Sequence, residues 1–163
     1  MTTAVTHLPV PYEVRVLLED LFVRPVEVRP GPPWAPLNGE PGTLAIYVDD
    51  RYAIRALGLG DLRFSAYAGA AIGLVPRAVA QMAVRDRRLD MDTQENLDEV
   101  LEIATGLYNV DGAAHMRLHH VCHIGTEVAP QIRAMSAAVG RRLDLTVDIG
   151  GYGTGRLSFV NVA

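Results

Sequence analysis

The stretch DTQENLDEVLEIATGLYN, residues Asp92–Asn109, has the apolar spacing of an amphipathic helix. At about 100° per residue, one side of this helix carries the apolar residues Leu97, Leu101, Ala104 and Tyr108, flanked by Val100, Ile103 and Leu107. The opposite side carries Glu95, Glu99 and Glu102, followed by Gly106 and Asn109. Asp92 is of a type that caps helices, and Glu95 follows it at capping-box spacing. The stretch therefore predicts a helix with an outward surface, here called the acidic face, formed by Glu95, Glu99, Glu102 and Gly106.

The composition is typical of a globular protein. Of 163 residues, 49% are hydrophobic and 21% are charged, which predicts one domain over residues 1–163 with its core in 12–162. The formal net charge is −4 and no basic block occurs, so we expect no nucleic-acid partner. All 15 basic residues are arginine, which excludes Schiff-base lysine chemistry and a P-loop lysine.

The N-terminus and the cysteine content indicate a cytoplasmic protein. The start, MTTAVTHLPVPYE, lacks the basic segment and apolar run of a signal peptide. No segment approaches the roughly 20 apolar residues of a membrane span, so we expect no membrane partner. Cys122 is the only cysteine and has no partner for an internal disulfide, which suits a reducing compartment.

The remaining elements alternate between helices and strands. In the first half, the predicted elements are a helix at Tyr12–Phe22, a strand at Val26–Arg29, a hairpin of Thr43–Val48 and Tyr52–Leu57, and helices within Asp61–Val84 broken near Gly73 and Pro76. After the central helix, they are a strand at Ala114–Ile124, a helix at Val128–Val139 with Ile132, Met135 and Val139 on one side, and a hairpin of Leu143–Ile149 and Arg156–Val162. Residues 31–42, rich in proline and glycine, are predicted to form a surface loop with Trp34 folded back over the core. This order predicts an α+β fold with a mostly antiparallel sheet covered by helices. Edge strands from the hairpins are expected to pair between chains in a homodimer.

A short motif on the central helix resembles that of a known family. Glu-x-x-Asn-x-x-x-Gly on an outward helix face is the signature of the CheC/CheX-type chemotaxis phosphatases, and the segment from Glu99 to Gly106 matches its acid and its glycine. The resemblance implies a CheC/CheX-like fold and a helix that docks on the receiver domain of a phosphorylated response regulator. In that family the acid pairs with a lysine of the regulator, and the asparagine amide orients the water that attacks the aspartyl phosphate. It implies no cofactor of the chain's own, and any Mg²⁺ would belong to the partner.

The sequence departs from the motif at the asparagine position, which Glu102 occupies. A carboxylate accepts hydrogen bonds but donates none, and it repels a phosphoryl group. Asn109 lies seven residues further on, about 10 Å along the helix axis, and is a poor substitute. The resemblance therefore implies catalytic positions at Glu99 and Glu102 and partner contacts at Glu95, Gly106 and Asn109, with an activity that is weak or lost.

Four histidines and the cysteine follow the central helix. On a strand, His115, His119 and His123 face one side, while His120 and Cys122 face inward. Histidines four apart on a strand are about 13 Å apart, too far to share a metal, whereas on a helix His119 and His123 would chelate one. The alternation favours the strand, so we expect no metal site.

Two other functions remain open. One is a non-catalytic regulatory or dimerisation module with the same fold, and the other is a metal-binding protein that uses the histidine-rich strand. Catalytic motifs of other classes, such as GxSxG, HExxH and GxGxxG, do not occur.

Overall fold

The computed structural model describes residues 4–36 and 40–162, and it is an α+β fold. The helices are α1 (Pro11–Phe22), α2 (Leu62–Ile72), α3 (Arg77–Asp86), α4 (Met91–Ile103) and α5 (Pro130–Ser136), and a 3₁₀ turn, Ala104–Leu107, extends α4. The strands are β1 (Val26–Pro30), β2 (Gly42–Val48), β3 (Ile54–Asp61), β4 (Arg117–Cys122), β5 (Arg142–Ile149) and β6 (Gly153–Asn161).

The six strands form one antiparallel sheet in the order β1-β5-β6-β3-β2-β4. Helices α1 to α4 contribute to the larger apolar cluster on one face of the sheet. Trp34 and α5 contribute to a smaller cluster that contains Leu44, Leu57 and Cys122. The predicted antiparallel sheet with helical cover is confirmed. Both predicted hairpins lie inside the sheet, however, and the edges are β1 and β4, so the hairpins do not supply the exposed edge strands that we expected.

Close contacts between α2 and its neighbours set the position of the helical layer. A Cβ on Gly69 of α2 would lie 2.7 Å from Cγ2 of Thr93 in α4. A Cβ on Gly155 of β6 would lie 2.3 Å from the backbone nitrogen of Phe64 in α2. The two glycines therefore allow α2 to lie directly against both α4 and the sheet.

The start of α4 differs from the sequence prediction. Asp90 is the N-cap residue, with extended backbone angles, and its carboxylate accepts a hydrogen bond of 2.8 Å from the Thr93 backbone N–H. Helix α4 begins at Met91, so Asp92 is the second residue of its first turn and is not the cap. The prediction was wrong because two aspartates lie two residues apart and only the backbone conformation distinguishes the cap from the first turn.

Two further expectations concern α5 and the loop at 31–42. Helix α5 ends at Ser136, so Val139 lies beyond it and is 95% exposed, whereas Ile132, predicted on the same side of the helix, is buried. Trp34 is buried, as predicted, with its indole Nε1 donating to Glu40 Oε2 at 3.0 Å. The part of the predicted loop at 37–39 lies outside the described residues.

None of the helices in 4–36 and 40–162 has the length and apolarity needed to cross a lipid bilayer.

Candidate docking site on the central helix

Helix α4 is anchored along its inner side. Leu97, Val100 and Leu101 are buried in the larger cluster, as the apolar spacing predicts. The side-chain amide of Asn96 donates to the Gly69 carbonyl at 3.2 Å, and the Tyr47 hydroxyl donates to the Leu101 carbonyl at 2.8 Å. These contacts to α2 and β2 fix the rotation of the helix, so its acidic side faces solvent.

The three glutamates of the acidic face are exposed, and within residues 4–36 and 40–162 none of them forms an ion pair. Glu102 lies in the last turn of α4, where no basic side chain is present. A carboxylate near a helix C-terminus opposes the helix dipole, at a cost of about 0.3–1 kcal/mol. The fold therefore gains nothing from Glu102, and the charge is available to a cation on another molecule.

Gly106 lies in the 3₁₀ turn that follows α4, and its position requires no glycine. A Cβ added there would meet no atom within 4 Å, and its φ is not among the positive values of the chain. Gly69 and Gly155 are different, because each is held against backbone or side-chain atoms. The missing side chain at Gly106 thus leaves the backbone accessible at the end of the acidic face.

Asn109 has a role inside the chain. Its side-chain amide donates to the Met116 carbonyl at 2.9 Å, and its carbonyl oxygen accepts from the Met116 N–H at 2.8 Å. This pair of hydrogen bonds holds the segment between the 3₁₀ turn and β4. Both polar ends of the amide are therefore occupied, although the residue itself is exposed.

A groove of about 560 Å³ lies between α4 and β4. Its lining includes Asp98, Glu99 and Glu102 from the helix and His119 and His120 from the strand. The two features that stood apart in the sequence, the acidic face and the histidine-rich strand, are therefore neighbours in space.

A close contact joins two residues that line this groove. Nε2 of His123, just after β4, lies 2.7 Å from Oδ1 of Asp98. The contact links the segment after β4 to α4, and the His123 side chain is largely buried. Sequence reasoning missed the pair because it depends on which strand lies beside α4, and no local spacing reveals that.

The histidine-rich segment is a strand, as predicted, in which His120 and Cys122 pair with Ile46 and Leu44 of β2. Cys122 is buried and His120 is exposed, although both were expected to face inward. The register shifts between Ile46 and Tyr47 of β2, so that Leu118 and His120 pair with adjacent residues and His119 is bulged out. Across residues 4–36 and 40–162, no three His, Cys, Asp or Glu side chains are grouped so that they could hold a metal ion.

No protein-family profile and no curated protein sequence matches the chain. Among solved structures, the middle domain of FliM from Vibrio alginolyticus matches with a TM-score of 0.58 at 13% identity, over 92% of this chain and 86% of that one. FliM in a FliG–FliM complex from Helicobacter pylori matches with a TM-score of 0.52 at 10% identity, over 95% of this chain and 87% of that one. The chemotaxis protein CheX from Desulfovibrio desulfuricans matches with a TM-score of 0.49 at 11% identity, over 93% of this chain and 97% of that one. At these identities the likeness concerns the fold alone, and the predicted α+β fold with a mostly antiparallel sheet covered by helices is confirmed.

Proposed function

We propose that the chain docks through its acidic face on the receiver domain of a phosphorylated response regulator. The observation that supports this proposal is the combination of three exposed glutamates, which form no ion pair within residues 4–36 and 40–162, with a glycine at which an added Cβ would meet no described atom within 4 Å. Charges without internal partners stabilise a complex when a partner supplies the cation. A bare backbone at the end of the same face allows that partner to approach closely.

In this complex Glu99 pairs with a lysine of the receiver domain. Glu99 is exposed and borders the groove between α4 and β4, so a long basic side chain reaches it from outside. Glu95 and Gly106 extend the contact to either side of it. Asn109 is less suited to a partner contact than the sequence indicated, because its amide is engaged by Met116.

Dephosphorylation of the aspartyl phosphate is weak or absent in this proposal. Glu102 borders the same groove as Glu99, at the position where the resemblance implies an asparagine. Phosphoryl transfer depends on positioning the water and on countering the negative charge of the phosphoryl oxygens. A carboxylate at position 102 accepts a hydrogen bond from the water, but its negative charge repels the negatively charged phosphoryl oxygens.

A second candidate is a non-catalytic module that keeps the fold and binds other proteins. Glu102 in place of the amide favours it, as does the likeness to FliM middle domains, one of them in a complex with FliG. In this case the acidic face binds a partner without chemistry. The homodimer expected from the sequence belongs to this candidate and remains a prediction.

Binding measurements separate the outcomes. Purified receiver domains, with and without beryllofluoride and Mg²⁺ as a phosphate mimic, are titrated with the chain and with Glu99→Gln. We expect tighter binding to the activated form and at least a tenfold loss for Glu99→Gln, equal to about 1.4 kcal/mol. Glu127→Gln is the matched control, because Glu127 is also exposed and lines a different groove beside Arg133. Equal binding of Glu99→Gln and the parent would refute a docking role for the acidic face.

A further inference from the structure

A second groove lies between the start of α2, the end of α3 and the β5–β6 hairpin. It encloses about 750 Å³ and shares no lining residue with the groove beside the acidic face. Pockets for small ligands occupy about 300–1,000 Å³, so its size suits a molecule such as a nucleotide. The function proposed above does not use this groove.

Arginine dominates the charge of this second groove. Four guanidinium groups line it, from Arg63, Arg85, Arg87 and Arg156, in a chain whose net charge is −4. Arginine matches phosphate and carboxylate oxygens with two parallel hydrogen bonds, which makes it the preferred residue for anion recognition. A concentration of four arginines around one concavity therefore indicates an anionic ligand.

The acidic residues of the groove are committed to the fold. Asp61 caps α2, and its Oδ1 accepts from the backbone N–H groups of Phe64 at 2.8 Å and Arg156 at 3.0 Å. Glu40 accepts from the Trp34 indole. Within residues 4–36 and 40–162, neither carboxylate forms a direct ion pair with Arg63, Arg85 or Arg156. Arg85 Nε lies 3.4 Å from Asp86 Oδ1, so the case for an anion site rests on Arg63 and Arg156, whose side chains form no ion pair within residues 4–36 and 40–162.

The fold brings these arginines together from distant parts of the sequence. The contact between Gly155 and the backbone of Phe64 places β6 against the first turn of α2, so Arg156 and Arg63 border the same space. Thr146 pairs with Arg156 across β5 and β6, and its hydroxyl lines the groove with that of Thr154. Within 4–36 and 40–162, neither threonine hydroxyl and neither the Arg63 nor the Arg156 guanidinium makes a direct side-chain hydrogen bond. The Asp61 carboxylate lies near both of these guanidinium groups, without a direct side-chain hydrogen bond to either within the described residues.

We propose that this groove binds a small molecule that carries two or more linked phosphate groups. The arginines hold the phosphate oxygens, and the threonine hydroxyls donate to the same anion from the floor of the groove. An extended polyanion such as nucleic acid is a poorer fit, because the chain has a net charge of −4 and no basic block in its sequence. This ligand site is independent of docking at the acidic face.

Trp34 makes the proposal directly testable, because the only tryptophan of the chain lies in the wall of the groove. The protein is titrated with pyrophosphate, with ATP and with inorganic phosphate at constant ionic strength, and Trp34 fluorescence and calorimetric heat are recorded. We expect saturable binding of pyrophosphate and ATP with one site per chain, at least tenfold tighter than inorganic phosphate. Arg63→Ala combined with Arg156→Ala should weaken this binding at least tenfold. Arg77→Ala is the matched control, since Arg77 is an exposed arginine at the start of α3 that does not line the groove.

Three results would overturn the proposal. The first is the absence of saturable binding at millimolar pyrophosphate and ATP. The second is binding that survives the loss of both arginines in a variant whose melting temperature equals that of the parent. The third is tighter binding to duplex DNA or polyglutamate than to pyrophosphate, which would identify a polyanion surface instead. Both substituted arginines are exposed, so their removal is not expected to unfold the chain.

Discussion

The rings of Tyr47 and Tyr108 lie with their centroids 5.0 Å apart beneath the end of α4, and their hydroxyl groups have opposite environments. The Tyr47 hydroxyl donates to the Leu101 carbonyl at 2.8 Å. The Tyr108 hydroxyl is equally buried and, among the described residues, has no hydrogen-bond partner. Burial raises the pKa of both phenols above their usual value. The Tyr47 hydroxyl therefore anchors α4, whereas the Tyr108 hydroxyl is a buried polar group without a hydrogen bond to any described residue.

Removing each hydroxyl should have a different effect on stability. Tyr47→Phe leaves the Leu101 carbonyl buried without its donor, and we expect a loss of about 1–2 kcal/mol in the free energy of unfolding. Tyr108→Phe removes a group that makes no hydrogen bond, so we expect a change within about 0.5 kcal/mol or a gain. Urea unfolding followed by circular dichroism measures both values. Equal losses in the two variants would contradict the assigned hydrogen bond.

Gly106 should be dispensable for folding and needed for docking. Because a Cβ there meets no atom within 4 Å, Gly106→Ala should leave stability unchanged or raise it by up to about 1 kcal/mol. Gly106→Leu should also fold but should weaken receiver binding at least tenfold, because the larger side chain blocks close approach. Gly69→Ala is the structural comparison, since its Cβ would lie 2.7 Å from Thr93, and we expect a loss of about 1–3 kcal/mol. Unimpaired binding by Gly106→Leu would show that no partner approaches this point.

Placing the asparagine of the family motif at position 102 should increase any phosphatase activity of the chain. Glu102→Asn supplies a donor and an acceptor for water and removes a negative charge from the groove. We expect dephosphorylation of a cognate regulator to accelerate at least tenfold over the parent, equal to about 1.4 kcal/mol in the barrier. The assay follows loss of phosphate from the regulator, with the regulator alone as the baseline and Glu99→Gln/Glu102→Asn as the control. An unchanged rate with intact binding would favour the non-catalytic candidate.

The cap of α4 should give stability a defined dependence on pH. Hydrogen bonds from Thr93, first from its side chain and then from its backbone, hold the pKa of Asp90 below its usual value. A depressed pKa in the folded state means that the stabilisation is complete above the unfolded-state pKa, about 3.9, and is lost as the pH falls through the folded-state value. We expect Asp90→Ala to cost about 1 kcal/mol at pH 7 and the difference from the parent to shrink below pH 4.

Thermal unfolding of both proteins between pH 2 and pH 7 measures this difference. Burial raises the pKa of Asp61, which has the opposite effect on stability, and comparison of the two proteins removes that contribution. A difference that stays constant down to pH 2 would mean that the charge of Asp90 does not matter to the cap.

Local patterns in the sequence predicted most of the fold. The spacing of Leu97, Leu101, Ala104 and Tyr108 identified the buried side of the central helix, because such a spacing reports burial directly. The order of the sheet was not predictable in the same way. Pairing of β4 with β2 and the position of β1 beside β5 depend on contacts between distant segments.

The same distinction applies to the two grooves. The acidic face could be predicted from the sequence because all its residues lie in one continuous segment with helical spacing. The groove with His119 and His120, and the arginine groove with residues from α2, α3 and β6, required the tertiary structure. Because His119 is bulged, Leu118 pairs with Tyr47 while His120 and Cys122 pair with Ile46 and Leu44, so the regular alternation of the strand stops at His119.

The bulge in β4 also affects how the chain behaves at high concentration. An outermost strand with a regular backbone is a template on which another molecule's strand can assemble, and such growth leads to fibrils. In β4 the ladder is interrupted opposite Ile46 and Tyr47, and a histidine projects at the interruption. This irregularity therefore disfavours the addition of strands from other molecules to β4, and it leaves the edge of the sheet beside the acidic face accessible to a binding partner that does not extend the sheet.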